Sequence, residues 1–119
     1  MRKTFKRLRI GIAVNPENFD IKYLRGIKNI INVIYYDLNV YKKTTIRKYC
    51  LKNNIDQITH IKKMNIPIYI GGGITERNVV DILNSVNPDG LDISRGLKNS
   101  KNIISSKKLN MFLSQVSVA

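Results

Sequence analysis

An α/β fold of four strand-helix units with parallel strands follows from three features of the sequence. Apolar runs of strand length (residues 10–14, 30–38, 66–70 and 91–94) alternate with segments whose apolar residues recur at helical spacing. Such alternation implies parallel strands joined by crossover helices. Two of the runs end in small-residue turns, Gly71-Gly72-Gly73 and Ser94-Arg95-Gly96, and strand C-termini are where ligands bind in α/β sheets and barrels. The 119 residues make one domain, 1–119 with a basic start at 1–9, and fall short of the roughly 200 residues of a complete (β/α)8 barrel. The expected architecture is a half or truncated TIM barrel with two exposed sheet edges. Two copies could meet, another chain could supply the rest, or the sheet could stay small and open.

Taken in order, Arg9-Ile10-Gly11-Ile12-Ala13-Val14 reads as a strand buried on both faces. Asn15-Pro16-Glu17 supplies an N-cap, a first-turn proline and an acid near the positive end of a helix dipole. The following helix turns Phe19, Tyr23, Leu24 and Ile27 inward and stops near Gly26 to Asn29. Residues 30–38 form the second strand, which delivers Asp37 at its C-terminal end. From Asn39 to Lys52 no period is evident through Tyr41, Lys42, Lys43, Thr44 and Thr45, so this stretch reads as a long loop able to close over a site. Leu51, Ile55, Ile58 and Ile61 mark a second helix ending before Asn65. The third strand, 66–70, tolerates Pro67 at its beginning. Its helix spans about 76–85, with Val79, Ile82, Leu83 and Val86 on one face, and Asn87-Pro88-Asp89-Gly90 breaks it. A fourth strand at 91–94 and a last helix from about Ser106, with Leu109, Phe112, Leu113 and Val116 inward, complete the chain.

Composition excludes several classes. No apolar run approaches a membrane span and the basic start lacks the apolar stretch of a signal peptide, so a soluble, cytoplasmic protein is expected, with no membrane partner. The single cysteine, Cys50, makes neither an internal disulfide nor a zinc site. A net charge of +13 raises nucleic acid as a partner. The cations are spread through every segment, however, and accompany heavy use of isoleucine and asparagine, the composition that AT-rich codons produce. The charge also suits an anionic, phosphorylated substrate.

The stretch from Ile66 to Arg77 carries the strongest signal. A strand runs into Gly71-Gly72-Gly73, and Thr75 caps the helix beyond. Glycines let main chain approach a ligand closely, and amides at a helix start carry the positive end of its dipole, which together make a phosphate cradle. The same turn also serves as plain strand-to-helix punctuation. A second half-site at Asp89-Gly90-Leu91-Asp92-Ile93-Ser94-Arg95-Gly96 lies beside the first if the two strands are parallel neighbours, as in barrels whose last two strands share one phosphate.

The runs Gly71-Gly72-Gly73-Ile74-Thr75-Glu76-Arg77-Asn78-Val79 and Gly90-Leu91-Asp92-Ile93-Ser94-Arg95-Gly96-Leu97, with Lys107-Lys108-Leu109 further on, resemble the end of phosphoribosylanthranilate isomerase. Tyr35-Tyr36-Asp37 resembles that family's Leu-Leu-Asp strand end. The resemblance covers 10–116 in layout and is specific from Ile68 to Leu97. It implies strands five to eight of the barrel, and an isomerase of tryptophan biosynthesis that performs an Amadori rearrangement of an aminoaldose to an aminoketose without a cofactor or metal. It further implies Asp37 as the general acid that protonates the ribose ring oxygen, Asp92 as a hydrogen-bond partner near the ribose hydroxyls, and Gly72, Gly73, Ser94 and Gly96 as the phosphate holders.

The departures bear on activity. The family's general base is a cysteine on the first barrel strand, and an arginine for the anthranilate carboxylate also comes from the N-terminal half. Neither has a counterpart here, and Cys50 does not fit the base. Lys42, Lys43, Thr44 and Thr45 replace a glycine-rich loop, and Arg95 and Lys98 stand where the family has Ser and Glu. The chain is thus expected to need a homodimer partner or a complementary N-terminal half. Two other functions stay open: a phosphate-binding barrel enzyme such as a ribulose-phosphate 3-epimerase, which Gly11-Ile12-Ala13-Val14-Asn15-Pro16 resembles but whose metal-binding histidines are absent, and a non-catalytic RNA-binding module stacking bases on Tyr35, Tyr36, Tyr41 and Tyr49. His60, alone on its helix, reads as a surface residue.

Overall fold

The computed structural model of the chain describes residues 8–38 and 52–117. The expectations for Asn39, Tyr41 to Thr45, Tyr49, Cys50 and Leu51, including the closing loop, lie outside the described residues. Four strands form one sheet in the order β1 (Gly11–Val14), β2 (Val33–Asp37), β3 (Ile68–Gly71), β4 (Gly90–Leu91), and every neighbouring pair is parallel. Between and after them lie α1 (Ile21–Ile27), α2 (Lys52–Lys62), α3 (Val79–Val86) and α4 (Ser106–Ser117). Four repeats of strand then helix are therefore present, the fold class read from the sequence.

The strands are shorter than expected because apolar character runs past the hydrogen-bonded ladder. Ile30 is exposed and lies before β2, and Asp92, Ile93 and Ser94 lie beyond β4. Each strand sends alternate residues to one side, and Val14, Ile34, Tyr36, Ile68 and Ile70 meet the helices there. Leu24 of α1, Ile58 and Ile61 of α2, Val79, Ile82 and Val86 of α3 and Phe112 of α4 complete this single core. Removing this apolar surface from water is the main force holding helices to sheet.

Helix starts differ from the sequence expectation. Asn15 caps only a short 3-10 turn, Pro16–Asn18, by accepting from the Glu17 amide at 2.9 Å. Helix α1 begins later, where the Asp20 carboxylate accepts from the Lys22 and Tyr23 amides at 3.0 and 3.2 Å. That shift leaves Tyr23 63% exposed, whereas Leu24 is buried and Phe19 and Ile27 pack against the core as expected. In α4, Phe112 is buried and Leu109 and Val116 flank it, but Leu113 is 53% exposed. Helix α3 ends on Asn87 in the left-handed region (φ 45°), whose amide closes onto the Leu83 carbonyl at 3.1 Å.

One buried polar network ties the layers. The Tyr36 hydroxyl, on a residue with no exposure, donates to Gln57 Oε1 at 2.5 Å and accepts from Asn54 Nδ2 at 3.1 Å. Gln57 Nε2 in turn donates to the Pro16 carbonyl at 3.2 Å, so β2, α2 and the first turn share one set of bonds. Among the described residues, no helix is long and apolar enough to cross a membrane.

Candidate functional site

Parallel register brings three strand ends together. Asp37, the last residue of β2, is the partner of Gly71, the last residue of β3. The Leu38 amide donates to the Gly71 carbonyl at 2.9 Å, and the Asp92 amide donates to the Ile70 carbonyl at 2.9 Å on the other side. Asp37 and Asp92 thus flank the glycine turn from opposite neighbours.

Each turn is shaped by glycine. Gly72 and Gly73 have φ of 92° and 91°, a region that side-chain-bearing residues rarely adopt. At Gly96 the constraint is contact, since an added Cβ would run into the Ile74 carbonyl oxygen. The turn after β3 and the 3-10 turn Arg95–Leu97 after β4 therefore pack against each other so closely that Gly96 leaves no room for a side chain.

Asn78 fixes the first turn. Its Nδ2 donates to the Gly73 carbonyl at 3.0 Å, and its Oδ1 accepts from the Thr75 amide at 2.9 Å. Thr75 Oγ1 accepts from the Arg77 amide at 3.2 Å, yet α3 starts only at Val79, whose amide donates to the Thr75 carbonyl at 3.1 Å. Helix α3 thus starts at Val79 instead of the expected Glu76, and the Thr75, Arg77 and Val79 amides bond within the chain. The main chain lining the cleft is that of Gly72, Gly73 and Ile74 together with the second turn.

The result is an open cleft of about 390 Å³ at the C-terminal ends of β2, β3 and β4. The residues expected at the isomerase site from sequence all line it: Asp37, Gly72, Gly73, Asp92, Ser94 and Gly96. Asp37 is half-buried, whereas Asp92 and Ser94 are exposed. The sequence reading missed Ile74, Ile93 and Asn102 as lining residues and gave Arg95 and Lys98 no firm place there. Asn102 sits in the left-handed region (φ 62°) in a tight turn whose Lys-Asn-Ser-Lys-Asn sequence signals the turn but not its position over the cleft. The structuring role of Asn78 was legible only as the Thr-x-x-Asn spacing.

Other sequence expectations end elsewhere. Gly11 to Pro16, the source of the epimerase likeness, does not line the cleft. Tyr36 has no exposure and cannot stack on a base, while Tyr35 is 38% exposed. His60 is a surface residue of α2. Among the described residues, no group of His, Cys, Asp or Glu is placed to hold a metal ion.

Parallel strands, helices on one side and a cleft framed by glycine turns at adjacent strand ends define half of a (β/α)-barrel. No protein-family model matches the chain. It is 40% identical over 55 residues to an N-(5'-phosphoribosyl)anthranilate isomerase of Methanococcus voltae, a match covering 44% of this chain and 82% of that relative. It is also 36% identical over 53 residues to N-(5'-phosphoribosyl)anthranilate isomerase 2 of Methanosarcina mazei, covering 44% of this chain. That match spans only 24% of the Methanosarcina mazei relative's own length. Among solved structures, the phosphoribosylanthranilate isomerase of Pyrococcus furiosus superposes with a TM-score of 0.57 and 20% identity over 92% of this chain and 50% of that one, a likeness of fold. The chain belongs to the phosphoribosylanthranilate isomerase family.

Proposed function

We propose that this chain supplies the phosphate cradle and the general acid of an aminoaldose-aminoketose isomerase acting on N-(5-phosphoribosyl)anthranilate. The observation that carries this reading is the meeting of Asp37 with both glycine-framed turns in one cleft. A phosphate held by the main chain of Gly72, Gly73 and Gly96 and the hydroxyl of Ser94 would anchor the sugar, and Asp92 would bond its hydroxyls. Asp37 would then hand a proton to the furanose ring oxygen as the ring C–O bond breaks, leaving an open-chain Schiff base. Removal of the C2 proton needs a base, and reprotonation of the resulting enolamine gives the ketose. In the family that base is a cysteine of the first barrel strand, outside the part matched here. Holding acid and base about one fixed sugar is what would make the steps effectively intramolecular.

The first-strand base lies outside the part of the family matched here. We infer that the cleft is completed by a further set of four strand-helix units that carries this base, as an N-terminal isomerase half would. The test is growth of a tryptophan auxotroph lacking the isomerase. This chain alone is expected not to restore growth, whereas co-expression with an N-terminal isomerase half carrying the cysteine restores it, and Asp37→Asn abolishes that rescue. Growth on this chain alone would show that it holds its own base. No rescue despite a stable, purified complex of the two halves would end the isomerase reading.

A further inference from the structure

The wall of the cleft that follows β4 has a charge the cradle does not require. From Ile93 to the last residue the sequence carries Arg95, Lys98, Lys101, Lys107 and Lys108 and no acidic residue at all. Arg95 and Lys98 line the cleft on this wall, whereas the carboxylates of the lining, Asp37 and Asp92, come from strand ends.

The main chain that carries Lys98 is firmly held. Its amide donates to the Arg95 carbonyl at 3.1 Å, and its carbonyl accepts from Lys108 Nζ of α4 at 2.7 Å. Lys98 forms an isolated antiparallel bridge with Ile104, and the Ser105 amide donates to the Leu97 carbonyl at 2.8 Å. Between them Asn99 Oδ1 accepts from the amides of Lys101 and Ile103 at 2.9 and 3.2 Å. Lys98 itself is half-buried. Two cations are thus mounted on cross-braced main chain, Arg95 in the second turn and Lys98 directly after it, so the backbone needs little ordering when an anion enters.

Resting on the proposed phosphate reading, we propose that Arg95 and Lys98 form a cationic wall that gives this chain, without any partner half, affinity for a phosphomonoester dianion. Main-chain amides and a hydroxyl offer directed but uncharged bonds. An arginine adds a planar pair of donors and a lysine a mobile point charge, and both favour the doubly ionised phosphate. A phosphomonoester loses its second proton near pH 6, so affinity rises as pH climbs through that value.

Calorimetric titration of the full chain with ribose 5-phosphate, with ribose as control, tests this. Ribose 5-phosphate is expected to bind, more weakly below about pH 6 and in high salt, and ribose not to bind. Arg95→Ser and Lys98→Gln each weaken binding about threefold to fivefold and the double variant about tenfold, with a shallower salt dependence. Far-UV circular dichroism checks that the variants keep their fold. Undiminished, equally salt-sensitive binding by the double variant overturns the wall, and if Gly73→Val abolishes that same binding the cradle reading stands. Binding that appears only after an N-terminal half is added also overturns the wall while leaving the proposed function intact. No binding under either condition overturns both.

Discussion

Gly96 lies so close to the Ile74 carbonyl that any side chain there must push two turns apart, and those turns are the two halves of the cleft. Gly96→Ala is therefore expected to cost about 1–3 kcal/mol of stability, as overpacking does, and to weaken ribose 5-phosphate binding at the same time. A urea titration showing no loss would mean that the turns separate freely. Tyr36→Phe isolates a different effect. The change keeps ring packing but leaves the buried Asn54 amide and Gln57 Oε1 without the hydroxyl they share. The urea midpoint should fall by the equivalent of about 1–3 kcal/mol with the slope unchanged. The proposed ligand site should stay intact, since Tyr36 points to the helices and does not line the cleft.

At the scale of single elements, helix α4 discriminates between spacing and geometry. Leu109, Phe112, Leu113 and Val116 share helical spacing, yet only Phe112 is buried and Leu113 faces solvent. Phe112→Ala should cost about 3–5 kcal/mol and Leu113→Ala no more than about 0.5 kcal/mol, measured as shifts in the unfolding midpoint. Equal losses would mean that both sides of the helix are covered. The sequence was legible here to the level of which segment is a helix, and not to which edge of its apolar stripe meets the sheet, because that edge depends on the angle at which the helix lies. Tyr23 fails for a related reason. Asn15 and Asp20 are both good caps, and only the fold reveals that Asp20 starts the helix. The site was read further than the helices were. Asp37, Gly72, Gly73, Asp92, Ser94 and Gly96 all reach the cleft because parallel strands in register place their C-terminal ends together, a consequence of topology that apolar runs and glycine turns announce. What stayed hidden was the placement of local turns: Asn102 reaches the cleft through a turn in which its amide donates to the Asn99 carbonyl, and Asn78 braces the glycine turn from five residues beyond Gly73.

On the scale of the whole molecule, the helices among the described residues cover the sheet on one side. Opposite the core, Tyr35 of β2 and Tyr69 of β3 stand side by side in an edge-to-face contact with ring centroids 5.7 Å apart. They lean over glycines on the outer strands, since a Cβ at Gly11 would lie 2.7 Å from Tyr35 Cε2 and one at Gly90 2.5 Å from Tyr69 Cζ. With β1 and β4 at the edges of a four-stranded parallel sheet, this face and both edges are what a second set of strands would meet on closing a barrel. Parallel sheets are ordinarily covered on both faces, so the tyrosine face is the surface through which a complementary half would act. A charge placed there should block closure without touching the cleft, because neither tyrosine lines it. Tyr35→Glu combined with Tyr69→Glu is expected to retain the far-UV circular dichroism of the chain and its binding of ribose 5-phosphate. The same variant should lose co-purification with an N-terminal half and the growth rescue that depends on it. Full rescue by the double variant would show that the halves do not meet across this face, and the inferred barrel closure would have to be abandoned.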